Sequence, residues 1–137
     1  MRFSGAKMLS RNGDLRVVVC IATRRRREML RNSLESLAIN SSIPRVEIVY
    51  LVVENDNAPH MRALVEELQI KLNGPELHYL LESSIGIPAA RNRAIKFAIE
   101  VEADLLAFID DDEVAGESWL IELIKAYRSR NAVLLGG

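Results

Sequence analysis

Short apolar, β-branched runs alternate with stretches of helical period along this chain, and that alternation restricts its fold more than any other feature. The runs are RVVVCIA (16–22), VEIVYLVV (46–53), LHYLL (77–81), LLAFI (105–109) and the start of a fifth at 133–135. Their length and content predict buried strands. Between them, Leu30, Leu34 and Leu37 predict a helix over 25–38, and Met61, Leu64, Val65 and Leu68 a second. Ala90, Ala94, Phe97, Ala98 and Val101 give a third, entered through Pro88, where a helix's first turn tolerates proline. Trp119, Leu120, Leu123, Ile124 and Tyr127 give a fourth. Strands alternating with helices predict an α/β fold: a mostly parallel, Rossmann-like sheet with helices on both faces. At 137 residues the chain has room for one domain. We expect it over 16–137, after a flexible leader at 1–15.

Charge and cysteine content narrow the function classes. Eighteen Lys and Arg against nineteen Asp and Glu give a net charge of −1, which argues against a nucleic-acid partner. The lone Cys20 permits neither an intrachain disulfide nor a cysteine zinc cluster and fits a reducing, cytoplasmic setting. No apolar run reaches the ~20 residues needed to span a bilayer. The amphipathic helices, one opening on four arginines at 24–27, leave room for peripheral contact with the inner face of a membrane.

Parallel sheets bind ligands beyond the carboxyl ends of their strands. Four polar clusters fall there: 23–27, 54–57, 83–86 and 110–113. The last is the most informative. Asp110, Asp111, Asp112 and Glu113 follow an apolar strand, and residues 100–117 hold eight acidic side chains and no Lys or Arg. Packed carboxylates repel one another, and a hard divalent ion relieves this while keeping positions for water and phosphate oxygens. Residues leaving a strand alternate in direction, so Asp110 and Asp112 share a face as a D-x-D pair. The same cluster also reads as a solvated acidic turn placing negative charge at the next helix.

The other clusters each carry two readings. Residues 54–57 (ENDN) suit hydrogen bonding to a base or ribose, or an ordinary Asx turn. Arg91 can pair with phosphate or simply be solvated. The arginines at 24–27 sit where positive charge opposes the helix dipole, which an anionic ligand would relieve, or they form a solvated face. His60 and His78 are given no role.

Taken together, VVVCIATRRR (17–26), VVENDNA (52–58), GIPAARNRAI (86–95), FIDDDEVAGESWL (108–120) and VLLGG (133–137) resemble the N-terminal, nucleotide-sugar-binding half of inverting family 2 glycosyltransferases with the GT-A fold. The chain is most similar there to bacterial exopolysaccharide glucosyltransferases of the succinoglycan type. The resemblance implies glycosyl transfer with inversion from a nucleotide-sugar donor, a UDP-sugar by family expectation, to a saccharide or lipid-linked acceptor. It implies donor contacts by Thr23, Glu54, Asn55, Arg91 and Asp111, and a Mn or Mg ion at Asp110 and Asp112, with Asp112 the direct ligand. The family's usual aspartate is replaced by Glu54, one methylene longer. The family's general base lies in the acceptor-binding half, beyond residue 137. We therefore also expect self-association to cover exposed apolar surface. The alternative functions are a non-catalytic nucleotide-sugar-binding or oligomerisation module and, lower in rank, a Mg-dependent phospho- or nucleotidyltransferase.

Overall fold

A computed structural model describes residues 15–38, 43–72, 76–112, 118–130 and 134–136. The elements are β1 (Leu15–Thr23), α1 (Arg27–Ala38), β2 (Val46–Glu54), α2 (Arg62–Lys71), β3 (Glu76–Leu81), α3 (Ile87–Glu100), β4 (Leu105–Asp110), α4 (Trp119–Arg130) and β5 (Leu134–Gly136). All five strands are parallel, in the order β3-β2-β1-β4-β5. The predicted α/β order holds, with element ends moved by one or two residues. Residues 1–14 and Glu113 lie outside the described residues. Leu15, assigned above to the leader, is the buried first residue of β1.

Both faces of the sheet are covered, because the strands are apolar on both sides. Val17, Val19 and Ile21 pack with Leu30, Leu34 and Leu37 of α1, Leu64 and Leu68 of α2, and Leu120 of α4. Val18 and Cys20 point the opposite way, toward Ala90, Ala94 and Phe97 of α3. The period of two along β1 thus feeds two cores at once. Trp119 packs against the first core. Burial pushes the Cys20 thiol up to about 12, so it stays protonated and inert, as expected of a small core residue.

Arg16 is a charged side chain inside a strand that read as uniformly apolar. It is 2% exposed. Its Nε donates to Glu47 Oε1 at 2.7 Å, and its guanidinium donates to the Val101 carbonyl at the end of α3. Its backbone N–H donates to Asp104 Oδ2 at 2.8 Å, and its carbonyl accepts from Asp104 N–H. Arg16 therefore ties β1, β2 and the α3–β4 turn together at the end of the sheet remote from the polar clusters. No helix among the described residues is long and apolar enough to cross a membrane.

Candidate functional site

The strand register brings the polar clusters together. Thr23 is level with Glu54, Glu54 with Leu81, and Ala22 with Asp110. The carboxyl ends of β1, β2, β3 and β4 thus form one rim. The chain runs outward from β1 through β2 to β3 on one side and then crosses back to β4 on the other side of β1, and such a switch point opens a crevice. A cleft of about 520 Å³ lies there, lined among others by Thr23, Arg26, Asn55, Arg91, Asp110 and Asp112. A second groove of about 570 Å³ runs along the free edge of β3, beside Arg62, Tyr79 and Arg93. It lacks the carboxylate cluster and lies off the rim.

Exposure alternates along the acidic cluster, as it should for a chain leaving a strand. Asp110 and Asp112 are exposed and Asp111 is buried. Asp111 Oδ2 accepts from Thr23 Oγ1 at 3.0 Å, and Oδ1 accepts from Arg26 Nη1 at 3.3 Å. Both oxygens are committed within the protein. Thr23 and Asp111, expected to touch the donor, both line the cleft, and their hydrogen bond braces β1 against the end of β4.

The donor set suits one kind of metal. Among the described residues no three His, Cys, Asp or Glu side chains converge on a metal position. Two exposed carboxylates on a polar cleft fit Mg²⁺ or Mn²⁺, which take one or two carboxylates and complete their shell with water and phosphate oxygens. Asp110 and Asp112 would hold such an ion.

Glu54 departs from its expected place. It is fully buried and does not line the cleft. Its Oε1 accepts from Met61 N–H at 2.9 Å and from Tyr79 Oη at 2.5 Å, while Oε2 has no protein partner. The Glu54 carboxylate instead reaches the start of α2 and the Tyr79 hydroxyl. Burial, and then the bond to Glu54, hold the Tyr79 phenol above its ordinary pKa.

Asn55 does line the cleft, but its amide is spent on the neighbouring loop. Nδ2 donates to the carbonyls of Glu82 at 3.0 Å and Ser84 at 2.8 Å, and Oδ1 accepts from Gly86 N–H at 2.8 Å. Gly86 has φ +138°, a conformation L side chains rarely adopt, and it starts α3. Asn55 thus fixes the entry angle of the helix that carries Arg91. Asn55→Asp keeps the size and the acceptor for Gly86 but turns an oxygen toward two carbonyls. We expect a loss of about 2 kcal/mol or more in urea unfolding, with weakened ligand binding in the cleft.

Arg91 lies with its guanidinium carbon 4.7 Å from the centre of the Phe108 ring, a cation–π contact that holds the charge at the cleft wall. Two further features escaped the sequence reading. Asp56 is fully buried, faces Arg25 Nε at 3.0 Å and Arg24 Nε at 3.8 Å, and has His60 Nε2 at 3.8 Å. The hydrogen bond from Arg25 is the main cause of its lowered pKa, and Arg25 itself has φ +56°. Arg26 turns to Asp111 and Asp112. The available signal was charge: a run of arginines at a helix start needs nearby anions, and ENDN and DDD supply them.

Known proteins share this fold and sequence family. The sequence model of "Glycosyl transferase family 2" matches residues 18–137. The succinoglycan biosynthesis protein ExoM of Rhizobium meliloti (strain 1021) is 33% identical over 126 residues, covering 92% of this chain and 39% of that protein. Crystal structures of S. aureus TarS 1-349 superpose on 85% of this chain. One matches with TM-score 0.68 at 21% identity over 33% of TarS 1-349, and the complex with UDP-GlcNAc with TM-score 0.67 at 20% identity over 32%. The chain spans about two fifths of the length of the curated relative and a third of the solved ones. The fold is that of the GT-A glycosyltransferases, and the chain belongs to glycosyl transferase family 2.

Proposed function

We propose that this chain forms the donor half of a glycosyltransferase, in which a nucleoside-diphosphate sugar lies in the cleft beyond the carboxyl ends of β1 and β4, where Asp110 and Asp112 would hold a divalent Mg or Mn ion for its diphosphate. The observation that carries this reading is that both exposed carboxylates open onto the same cleft as Thr23, Asn55 and Arg91. TarS has been crystallised with UDP and with UDP-GlcNAc, which favours a uridine donor. The name of ExoM favours a saccharide acceptor on the way to a polysaccharide. The stripe of exposed Ile87, Ile95 and Ile99 along α3 supplies apolar surface for self-association.

The residues divide the work. Asn55 sets the β3–α3 loop, and Arg91, held on Phe108, offers its guanidinium to the donor's nucleotide. Thr23 and Asp111 keep the ends of β1 and β4 at fixed separation. Asp110 and Asp112 would hold the divalent ion, whose charge would offset the negative charge on the nucleoside-diphosphate leaving group. Arg91→Ala should weaken UDP binding in the presence of Mn²⁺ by about 1.5–3 kcal/mol, the worth of a charge-assisted hydrogen bond. Superimposable calorimetric titrations of variant and wild type would remove Arg91 from the site.

The whole reading is tested by melting the protein against a panel of nucleotides and nucleotide sugars with Mn²⁺ or Mg²⁺. A ligand that binds only the native form and is present at 100 times its Kd adds about 2.7 kcal/mol. We expect the melting point to rise with UDP or a UDP-sugar only when metal is present. A flat panel would end the donor assignment, and release of UDP from a UDP-sugar by this chain would exclude the non-catalytic alternative.

A further inference from the structure

Three consecutive arginines at the end of β1 are held in two different ways. Arg24 and Arg25 both face the buried Asp56, and Arg25 meets it with two nitrogens. Arg26 turns the other way. Its Nη1 lies 3.3 Å from Asp111 Oδ1 and 3.7 Å from Asp112 Oδ2, and half of its side chain is exposed at the cleft. Contacts this long on an exposed guanidinium cost little to break. Asp111 would not lose its place if Arg26 left, because Thr23 holds its other oxygen.

A divalent ion at Asp112 and a guanidinium at Asp112 compete for one carboxylate and repel each other. The arrival of metal and diphosphate therefore removes the reason for Arg26 to stay and supplies a new anion within the same cleft. The planar guanidinium fork suits phosphate oxygens. We propose that Arg26 is a donor-binding residue with two alternating partners: it neutralises Asp111 and Asp112 in the free chain and moves to the donor's diphosphate when a divalent ion is held at Asp110 and Asp112. This inference rests on the diphosphate reading of the cleft given above.

The exchange has a signature that a purely structural brace lacks: removing Arg26 moves two affinities in opposite directions. Mn²⁺ binding to the protein alone is followed by electron paramagnetic resonance, and UDP binding at saturating Mn²⁺ by calorimetry. Arg26→Ala should bind Mn²⁺ alone about threefold more tightly, since an exposed competing ion pair is gone. The same variant should bind UDP about tenfold or more weakly, since a charge-assisted bond to phosphate is lost. Arg26→Lys, which keeps the charge but not the fork, should bind Mn²⁺ as the wild type does and recover part of the UDP affinity. Arg26→Ala weakening both ligands together, with a lowered melting point, would make Arg26 a brace for the turn and overturn the proposal. Unchanged affinities for both would overturn it as well. A wild type that binds Mn²⁺ and UDP without this crossing refutes the exchange alone, whereas a wild type that binds neither refutes the diphosphate reading and the exchange with it.

Discussion

Asp112→Ala should abolish metal-dependent binding of UDP, with a loss of roughly 100-fold or more in affinity measured by calorimetry in Mn²⁺, because the ion contributes several kcal/mol of charge stabilisation at such a site. The Asp112 side chain is 51% exposed, and its ion pair is the long one to Arg26 Nη1. Removing it should leave stability within about 0.5 kcal/mol of the wild type, as for surface changes generally. Binding and folding are therefore separable at this residue. Asp111→Ala should not separate them, because Asp111 is buried and carries the Thr23 bond. If Asp112→Ala bound UDP as tightly as the wild type in Mn²⁺, the carboxylate pair would have no part in holding the ion.

The second large effect is expected far from the cleft. Arg16→Met should cost about 3 kcal/mol, because breaking one side of a buried ion pair strands the other. Glu47 loses its partner at 2.7 Å, and the Val101 carbonyl loses its guanidinium donor. Glu47 is 14% exposed and can take up some water, which puts the figure at the lower end of the range for such pairs. The bond that the Arg16 backbone N–H donates to Asp104 Oδ2 does not involve the side chain and survives the substitution. The double variant Arg16→Met with Glu47→Met should recover most of the loss, since neither charge is then buried alone. Urea unfolding with an unchanged m-value checks both. A single variant as stable as the wild type would show the pair to be energetically idle.

The fold was legible because its signal is local. Five apolar runs separated by helical periods leave few arrangements, and the polar residues after each run mark the rim. The spacing in Asp110-Asp111-Asp112 even indicated which carboxylates share a face. The side-chain partnerships were not legible, because they depend on register between strands far apart in sequence. Glu54, Asn55 and Asp56 are three polar residues in a row, and all three are buried. Nothing in ENDN distinguishes the carboxylate that reaches Tyr79 from the one that collects Arg24 and Arg25. Arg16 escaped for a similar reason. Its partners Glu47 and Val101 are 31 and 85 positions away. Family likeness carried Glu54 to the nucleotide, whereas the extra methylene and the Tyr79 hydroxyl carry it into the protein.

The strand order has a consequence for how this polypeptide comes into being. β1, the first strand among the described residues, occupies the middle of the sheet, and one of its two flanks is filled by Leu105–Asp110. During synthesis that flank stays open until the ribosome has released those residues. Pairing across so long a separation is slow, and an unpaired apolar edge is prone to wrong association while it waits. Nascent chains of this protein should therefore depend on chaperones, or on slow translation near β4, until those residues have emerged.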